Sequence, residues 1–506
     1  MTTGKASINR LKTGVPGFDE VLGGGLPEFS CNLIAGPPGC GKTTLAHQIM
    51  FALATPERPA IYFTVLGEPP LKMLRYQQQF DFFELDKLNR SIRFVNLADD
   101  VACGNLDKVL EHIVAEVEAR GPGLVFVDSF RSVILASQDE GTPFITLQHF
   151  IQNLGVLMTS WQATTFLIGE YFSDCDPNPI FTVADGLIWL RQSVERNSMV
   201  RKLEIMKMRG QPSLPGLHTF RIRNSGIHVF APPQVTGGPR VDRAAAGAAR
   251  VGMGVPGLDD MMGGGLPRGF SVLVAGPSGS GKSTLATAFL TEGARQGETS
   301  VIAAFEQRPR LAQGAALAPL IRADRIGVVD SSAPGVSVDE IARLLITEIN
   351  RLKASRVVID SLSGFELALA PTFRADFREA LSRLVSALAS TGVTVLMTSE
   401  LEDRFNDLRF SPYGTAFMTD AIIVQRYVEV DSRLRRVMAV VKVRGSAHSN
   451  ELREFTIDDQ GICIGERITG HEGLLGGQPA RRDLDGAHGA DGADGADGAA
   501  MQGPAN

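Results

Sequence analysis

Two glycine-rich runs in this 506-residue chain could bind a polyphosphate, because each ends in a lysine followed by a hydroxyl. Gly36-Pro-Pro-Gly-Cys-Gly-Lys-Thr43 and Gly276-Pro-Ser-Gly-Ser-Gly-Lys-Ser283 both fit G-x-x-x-x-G-K-[ST]. Glycines at 36, 39 and 41, and Gly276, Gly279 and Gly281, let backbone N–H groups converge on phosphate oxygens at a helix N-terminus, where the dipole also favours an anion. Lys42 and Lys282 would reach the β- and γ-phosphates, and Thr43 and Ser283 would place a hydroxyl on Mg²⁺. Thr44 and Thr284 carry each loop into its helix beside the same phosphates. The chemistry these residues suit is binding of ATP with Mg²⁺.

Acidic residues extend that chemistry. Asp128 and Asp360 end apolar runs that read as central strands, so their carboxylates should emerge beside the loops and hold Mg²⁺ through water. Hydrolysis also needs a carboxylate to orient the attacking water. The candidates are Glu68, in Leu66-Gly-Glu-Pro-Pro70, and Glu306, in Phe305-Glu-Gln-Arg-Pro309, the latter also within expected reach of the metal. Aligned through Pro70 and Pro309, the two runs keep one carboxylate each, at non-equivalent positions. Lys207, Arg209, Lys442 and Arg444 follow late strands, far in sequence from their own loops. Such cation pairs suit a trans contact to a neighbour's γ-phosphate, in the manner of an arginine finger, with ordinary surface pairs as the competing reading.

What must position these groups is a domain used twice. Thr13-Gly-Val-Pro-Gly-Phe-Asp19 recurs as Met253-Gly-Val-Pro-Gly-Leu-Asp259, Val125-Phe-Val-Asp-Ser129 as Val357-Val-Ile-Asp-Ser361, and Lys207-Met-Arg-Gly210 as Lys442-Val-Arg-Gly445. Residues 1–230 and 250–475 read as the copies. The Pro/Gly/Ala stretch 231–249 reads as a linker, and 476–506, with its Asp-Gly-Ala repeats, as a disordered tail. Short β-branched runs (Cys31 to Ala35, Ala60 to Val65, Leu124 to Val127, Thr164 to Ile168) alternate with amphipathic stretches, and the second copy repeats them. After the fourth run each copy turns antiparallel, from Gly186–Leu190 to Lys202–Met206 and from Ala421–Val424 to Val437–Val441. The fold class expected is α/β: two tandem RecA-like P-loop domains, each a mainly parallel sheet flanked by helices, plus the tail.

Composition narrows the alternatives. With 44% hydrophobic and 21% charged residues and no long apolar segment, the chain reads as a soluble cytoplasmic protein without a membrane span. Five scattered cysteines suggest neither a disulfide framework nor a zinc site. A net charge of -6 and 7% aromatic residues argue against broad nucleic-acid binding.

The tandem layout, the Gly-Gly-Gly-Leu-Pro lead-ins, Phe305-Glu306 and the Lys-x-Arg-Gly endings together resemble the KaiC family of circadian-clock ATPases, over about residues 10 to 470. The resemblance implies a double-ring homohexamer with ATP between subunits, slow hydrolysis in the first ring and autophosphorylation in the second. It makes Glu306 the second ring's general base and Lys207, Arg209, Lys442 and Arg444 the trans phosphate contacts. Clock-type signalling proteins would be its partners. That family places adjacent Ser and Thr acceptors before a Thr-Asp pair, whereas this chain has Ala416 and Phe417 before Thr419-Asp420. Thr415 is the nearest hydroxyl for a serine/threonine autokinase, with Ser411 and Thr419 as poorer options. Two other readings stand beside it: a RecA- or RadA-like ATPase driven by single-stranded DNA, and an ATP sensor without turnover.

Overall fold

The computed structural model describes residues 8–65, 70–88, 90–102, 106–133, 144–173, 178–195, 198–233, 249–305, 314–330, 336–401, 417–430, 432–469, 471–472 and 480–481. Most of the expected linker and tail lie outside them. Each copy is built on one nine-stranded sheet, and the two are described separately.

The first sheet takes β1 (Cys31–Gly36), β2 (Ala60–Thr64), β3 (Ile92–Asn96), β4 (Leu124–Asp128), β5 (Thr164–Glu170), β6 (Gly186–Glu195), β7 (Ser198–Met208), β8 (His218–Arg223) and β9 (Gly226–Phe230). Their spatial order is β9-β8-β7-β6-β1-β5-β4-β2-β3. Strands β3 through β6 of that order run parallel, and the β6–β7–β8–β9 side is antiparallel. Period-two alternation divides the core. Ile34, Tyr62, Phe126 and Phe166 face helix α1 (Lys42–Leu53), while Leu33, Phe63, Val127 and Leu167 face α2 (Leu106–Arg120) and α3 (Phe144–Ser160). Helix α1 contributes Leu45, Ile49 and Met50, all fully buried, each stabilising by about 1.5–3 kcal/mol relative to exposure.

The second sheet repeats this plan with β10 (Ser271–Gly276), β11 (Ser300–Ala304), β12 (Ile326–Asp330), β13 (Arg356–Asp360), β14 (Thr394–Glu400), β15 (Ala421–Val430), β16 (Arg433–Val443), β17 (Arg453–Asp458) and β18 (Gly461–Arg467). Its order, β12-β11-β13-β14-β10-β15-β16-β17-β18, matches the first strand for strand. Helix α4 (Lys282–Arg295) follows β10 as α1 follows β1.

The expected α/β architecture is present in both copies. The edge strands β3 and β12 and the closing hairpins β8–β9 and β17–β18 were not expected. In β3 the sequence Ile-Arg-Phe-Val-Asn is only partly buried, so a sheet edge leaves it without the unbroken apolar run of a central strand. The tail expected to be disordered from Gly476 contributes one short strand, Ala480–Arg481, paired antiparallel with His471–Glu472. Among the described residues, no helix is long and apolar enough to cross a membrane.

His47 of α1 is fully buried, with its ring 4.7 Å from that of Tyr62 and 6.1 Å from that of Phe94. Burial lowers its pKa to about 4, with the side chain of Gln77 opposing. Between the ordinary histidine value and that one, the unfolded chain binds a proton that the folded chain refuses. Stability is therefore complete above about pH 6.5 and is lost as pH falls toward 4, by up to about 1.4 kcal/mol per pH unit. Melting curves at pH 7.5 and 5 should show this acid loss, and His47→Gln should flatten it.

Candidate functional site

At the C-terminal edge of the first sheet the chain leaves β1 and reverses into α1. The reversal requires Gly41 at φ 107°, a left-handed conformation that strains any residue with a side chain; a Cβ there would lie 3.0 Å from Ile222 Cδ1, so that this isoleucine would have to give way. Gly281 does the same at φ 102°, with Ile457 Cδ1 2.6 Å from the corresponding point. The α1 and α4 N-termini thus open beside their sheet edges, where the first-turn N–H groups have no intrahelical carbonyl to bond.

Lys42 is largely buried, and its Nζ donates to the carbonyl oxygen of Pro37 at 2.9 Å and lies 4.0 Å from Glu170 Oε1. Lys282 donates to the Pro277 carbonyl oxygen at 2.8 Å. A cavity of about 340 Å³ opens above the first loop, lined by Gly39, Lys42, Thr43, Asp128, Ser129 and Glu170 among others. Thr43 Oγ1 donates to Asp128 Oδ2 at 2.9 Å. This set of a hydroxyl and one carboxylate fits Mg²⁺, a hard cation that keeps several waters and takes its remaining ligands from substrate phosphates. Among the described residues there is no cluster of three or more His, Cys, Asp or Glu that would form an all-protein metal cage.

Asp128 is 7% exposed, and burial raises its pKa; the hydroxyls of Tyr62 and Thr43 and the charge of Lys42 oppose that rise, while Glu170 adds to it. Asp360 occupies the same position at the end of β13 and accepts a hydrogen bond from the Thr398 hydroxyl of β14.

The cation pairs lie at the other edge of each sheet. Lys207 pairs with Leu187, which pairs with Leu33, three residues or about 10 Å before Gly36. Its Nζ donates to the carbonyl oxygens of Thr182 (2.9 Å) and Phe181 (3.4 Å), and Arg209 donates to Asp185 Oδ1 at 3.1 Å. In the second copy Lys442 donates to the Thr419 carbonyl oxygen at 2.7 Å and Arg444 to that of Phe417 at 2.8 Å. Partial burial, and then the neighbouring Arg209 or Arg444, lowers the pKa of Lys207 and of Lys442. Neither pair can serve the loop of its own copy.

The structure therefore brings together the loop residues, Asp128 and Asp360, and separates the cation pairs from them. Glu68, Glu306, Ser411 and Thr415 lie outside the described residues; Thr419 is described and fully buried. Sequence reasoning missed Glu170 and Glu400, which end β5 and β14 level with Gly36 and Gly276, and the hydroxyls of Tyr62 and Thr398. Glu170 and Glu400 carried a signal, since each closes an apolar run that sits in register between the copies. The two hydroxyls carried none, because their positions differ from one copy to the other.

A glycine-rich turn between a central parallel strand and its helix, with an aspartate at the tip of a strand one removed, defines a P-loop nucleotide-binding domain of RecA type, present here twice. The chain belongs to the KaiC ATPase family, whose family model, described as "ATPase: KaiC", matches residues 11–234 and again 251–468. It is 27% identical over 492 residues to the circadian clock oscillator protein KaiC of Rippkaea orientalis, covering 94% of this chain and 93% of that one. The KaiC of Prochlorococcus marinus is 28% identical over 493 residues, covering 94% and 96%, and KaiC 1 of Synechocystis is 26% identical over 500 residues, covering 95% and 94%.

If each loop is an independent site, isothermal titration should count about two ATP per chain. Lys42→Ala and Lys282→Ala should each reduce that to about one, and the double variant should bind none.

Proposed function

We propose that both copies bind Mg-ATP, that hydrolysis runs in the second copy through Glu306, and that the chain works as a homohexameric, nucleotide-dependent scaffold for signalling proteins. The observation that carries ATP binding is the repeated assembly of loop, lysine and strand-end aspartate, in register in both sheets. In the reaction, the loop N–H groups and Lys282 hold the transferring phosphate, Ser283 and Asp360 hold Mg²⁺, and Glu306 orients the attacking water.

Strand register supports assigning turnover to the second copy. Thr64 pairs with Asp128 as Ala304 pairs with Asp360, and the next N–H, of Val65 or Phe305, donates to the carbonyl oxygen of that aspartate at 2.8 Å. Val65 is therefore level with Phe305. Counting on along the chain, Leu66 follows the one and Glu306 the other, so Glu68 stands two positions past the place of the base.

The hexamer reading rests on the cation pairs, which lie across the sheet from their own loop and so suit a neighbour's γ-phosphate. Trans action has a distinctive consequence. Subunits carrying Lys282→Ala and subunits carrying Arg444→Ala, each inactive alone, should regain part of the ATP turnover when mixed. Mixing without recovery would place the arginine outside the site.

Glu306→Gln should leave ATP binding within about threefold and reduce single-turnover hydrolysis by 100-fold or more, as expected for loss of a water-orienting group. Intact-mass and peptide mass spectrometry after incubation with ATP reports the kinase branch: phosphate on Thr415 establishes autophosphorylation, and ADP without phosphopeptide leaves an ATPase.

A further inference from the structure

In the two copies a hydroxyl reaches the strand-end aspartate from opposite sides. In the first, Tyr62 of β2 donates its phenolic proton to Asp128 Oδ2 at 2.7 Å. In the second, Thr398 of β14 donates to Asp360 Oδ1. The exchange is reciprocal. The position of Thr398 is filled in the first copy by Ile168, which pairs with Asp128, and the position of Tyr62 is filled in the second by Ile302, which pairs with Val358 as Tyr62 pairs with Phe126.

The two donors differ in size because they differ in distance. Thr398 stands one step past Met397, the partner of Ile359, and so is level with Asp360; a short side chain spans the gap between adjacent strands. Tyr62 stands two residues before Thr64, the partner of Asp128, and approaches on the diagonal, which only a long side chain can cover. Its ring is fixed between those of His47, Phe94 (5.3 Å) and Phe126 (5.8 Å), and is fully buried. Tyr62 and Thr43 both donate to Oδ2 of Asp128, which leaves Oδ1 open to a metal-bound water.

We propose that Tyr62 is a positioning residue for the Mg²⁺ site of the first copy, supplying from β2 the carboxylate-orienting hydroxyl that Thr398 supplies from β14 in the second. The proposal rests on the reading that Asp128 and Asp360 hold Mg²⁺. An outer hydrogen bond of this kind fixes the ligand's rotamer and keeps its charge available, and its loss weakens metal binding without touching the loop that holds the phosphates.

The test isolates the first site with Lys282→Ala in the full chain and follows binding of a fluorescent ATP analogue as Mg²⁺ is titrated. Tyr62→Phe keeps the ring and removes one hydrogen bond to a carboxylate, so half-maximal Mg²⁺ stimulation should need roughly tenfold more metal. Affinity in excess EDTA should stay unchanged. Adding Ile168→Thr, which offers a hydroxyl from the strand used by the second copy, should return the midpoint to within about twofold.

In the Lys42→Ala parent, Thr398→Val should shift the second site's midpoint in the same direction, so the proposal stays open to test even if Tyr62→Phe fails to fold. An unchanged midpoint in Tyr62→Phe overturns the proposal. So does an equal loss of affinity in EDTA, or absence of recovery with Ile168→Thr in a chain that melts like its parent. Binding indifferent to Mg²⁺ in the parents overturns the metal reading itself, and the proposal with it.

Discussion

Each half of this protein depends on one backbone reversal, at Gly41 and at Gly281, where a positive φ turns a buried parallel strand into a helix. A side chain at either position would be strained by that φ, and it would also displace the tip of Ile222 or Ile457. The reversal sets the helix N-terminus, its first-turn N–H groups and the following lysine at one point on the sheet edge. Parallel strand order then does the rest. It brings Asp128 and Glu170, or Asp360 and Glu400, to the same edge, because every strand of that part of the sheet ends there.

The same order explains why the cation pairs are elsewhere. Strands β7 and β16 run against the parallel strands, so the ends that carry Lys207 and Arg209, or Lys442 and Arg444, return to the edge where β1 and β10 begin. Asp185 ties that corner together, its Oδ2 accepting the Cys31 N–H and its Oδ1 accepting Arg209. Asp420 makes the corresponding bond to the Ser271 N–H. Each central strand is thus anchored at one end by an aspartate facing the cation pair and opens at the other into the loop.

Much of this was legible in the chain. The G-x-x-x-x-G-K-[ST] runs, the apolar segments ending in Asp128 and Asp360, and the repeat itself are local patterns, and a buried parallel strand must be apolar along its whole length. The edge strand β3 was not legible, because partial exposure at the sheet edge frees residues such as Arg93 to be polar. Tyr62 was hidden for a different reason. Read alone it is one more aromatic in a buried strand, and only the strand register aims its hydroxyl at Asp128. Alignment through Pro70 and Pro309 likewise kept Glu68 as a candidate, whereas pairing within the sheets makes Val65 level with Phe305 and shifts the comparison by one residue.

The two nucleotide sites share a fold and differ in the residue following Val65 and Phe305. The most direct test of that difference is the identity of nucleotide bound to the wild-type chain, recovered by acid quench after incubation with Mg-ATP long enough for one turnover. One ADP and one intact ATP per chain is the expected result, with the ATP lost from a Lys42→Ala chain. Two ADP per chain would contradict it, as would ADP that persists in full when Glu306 is replaced by Gln.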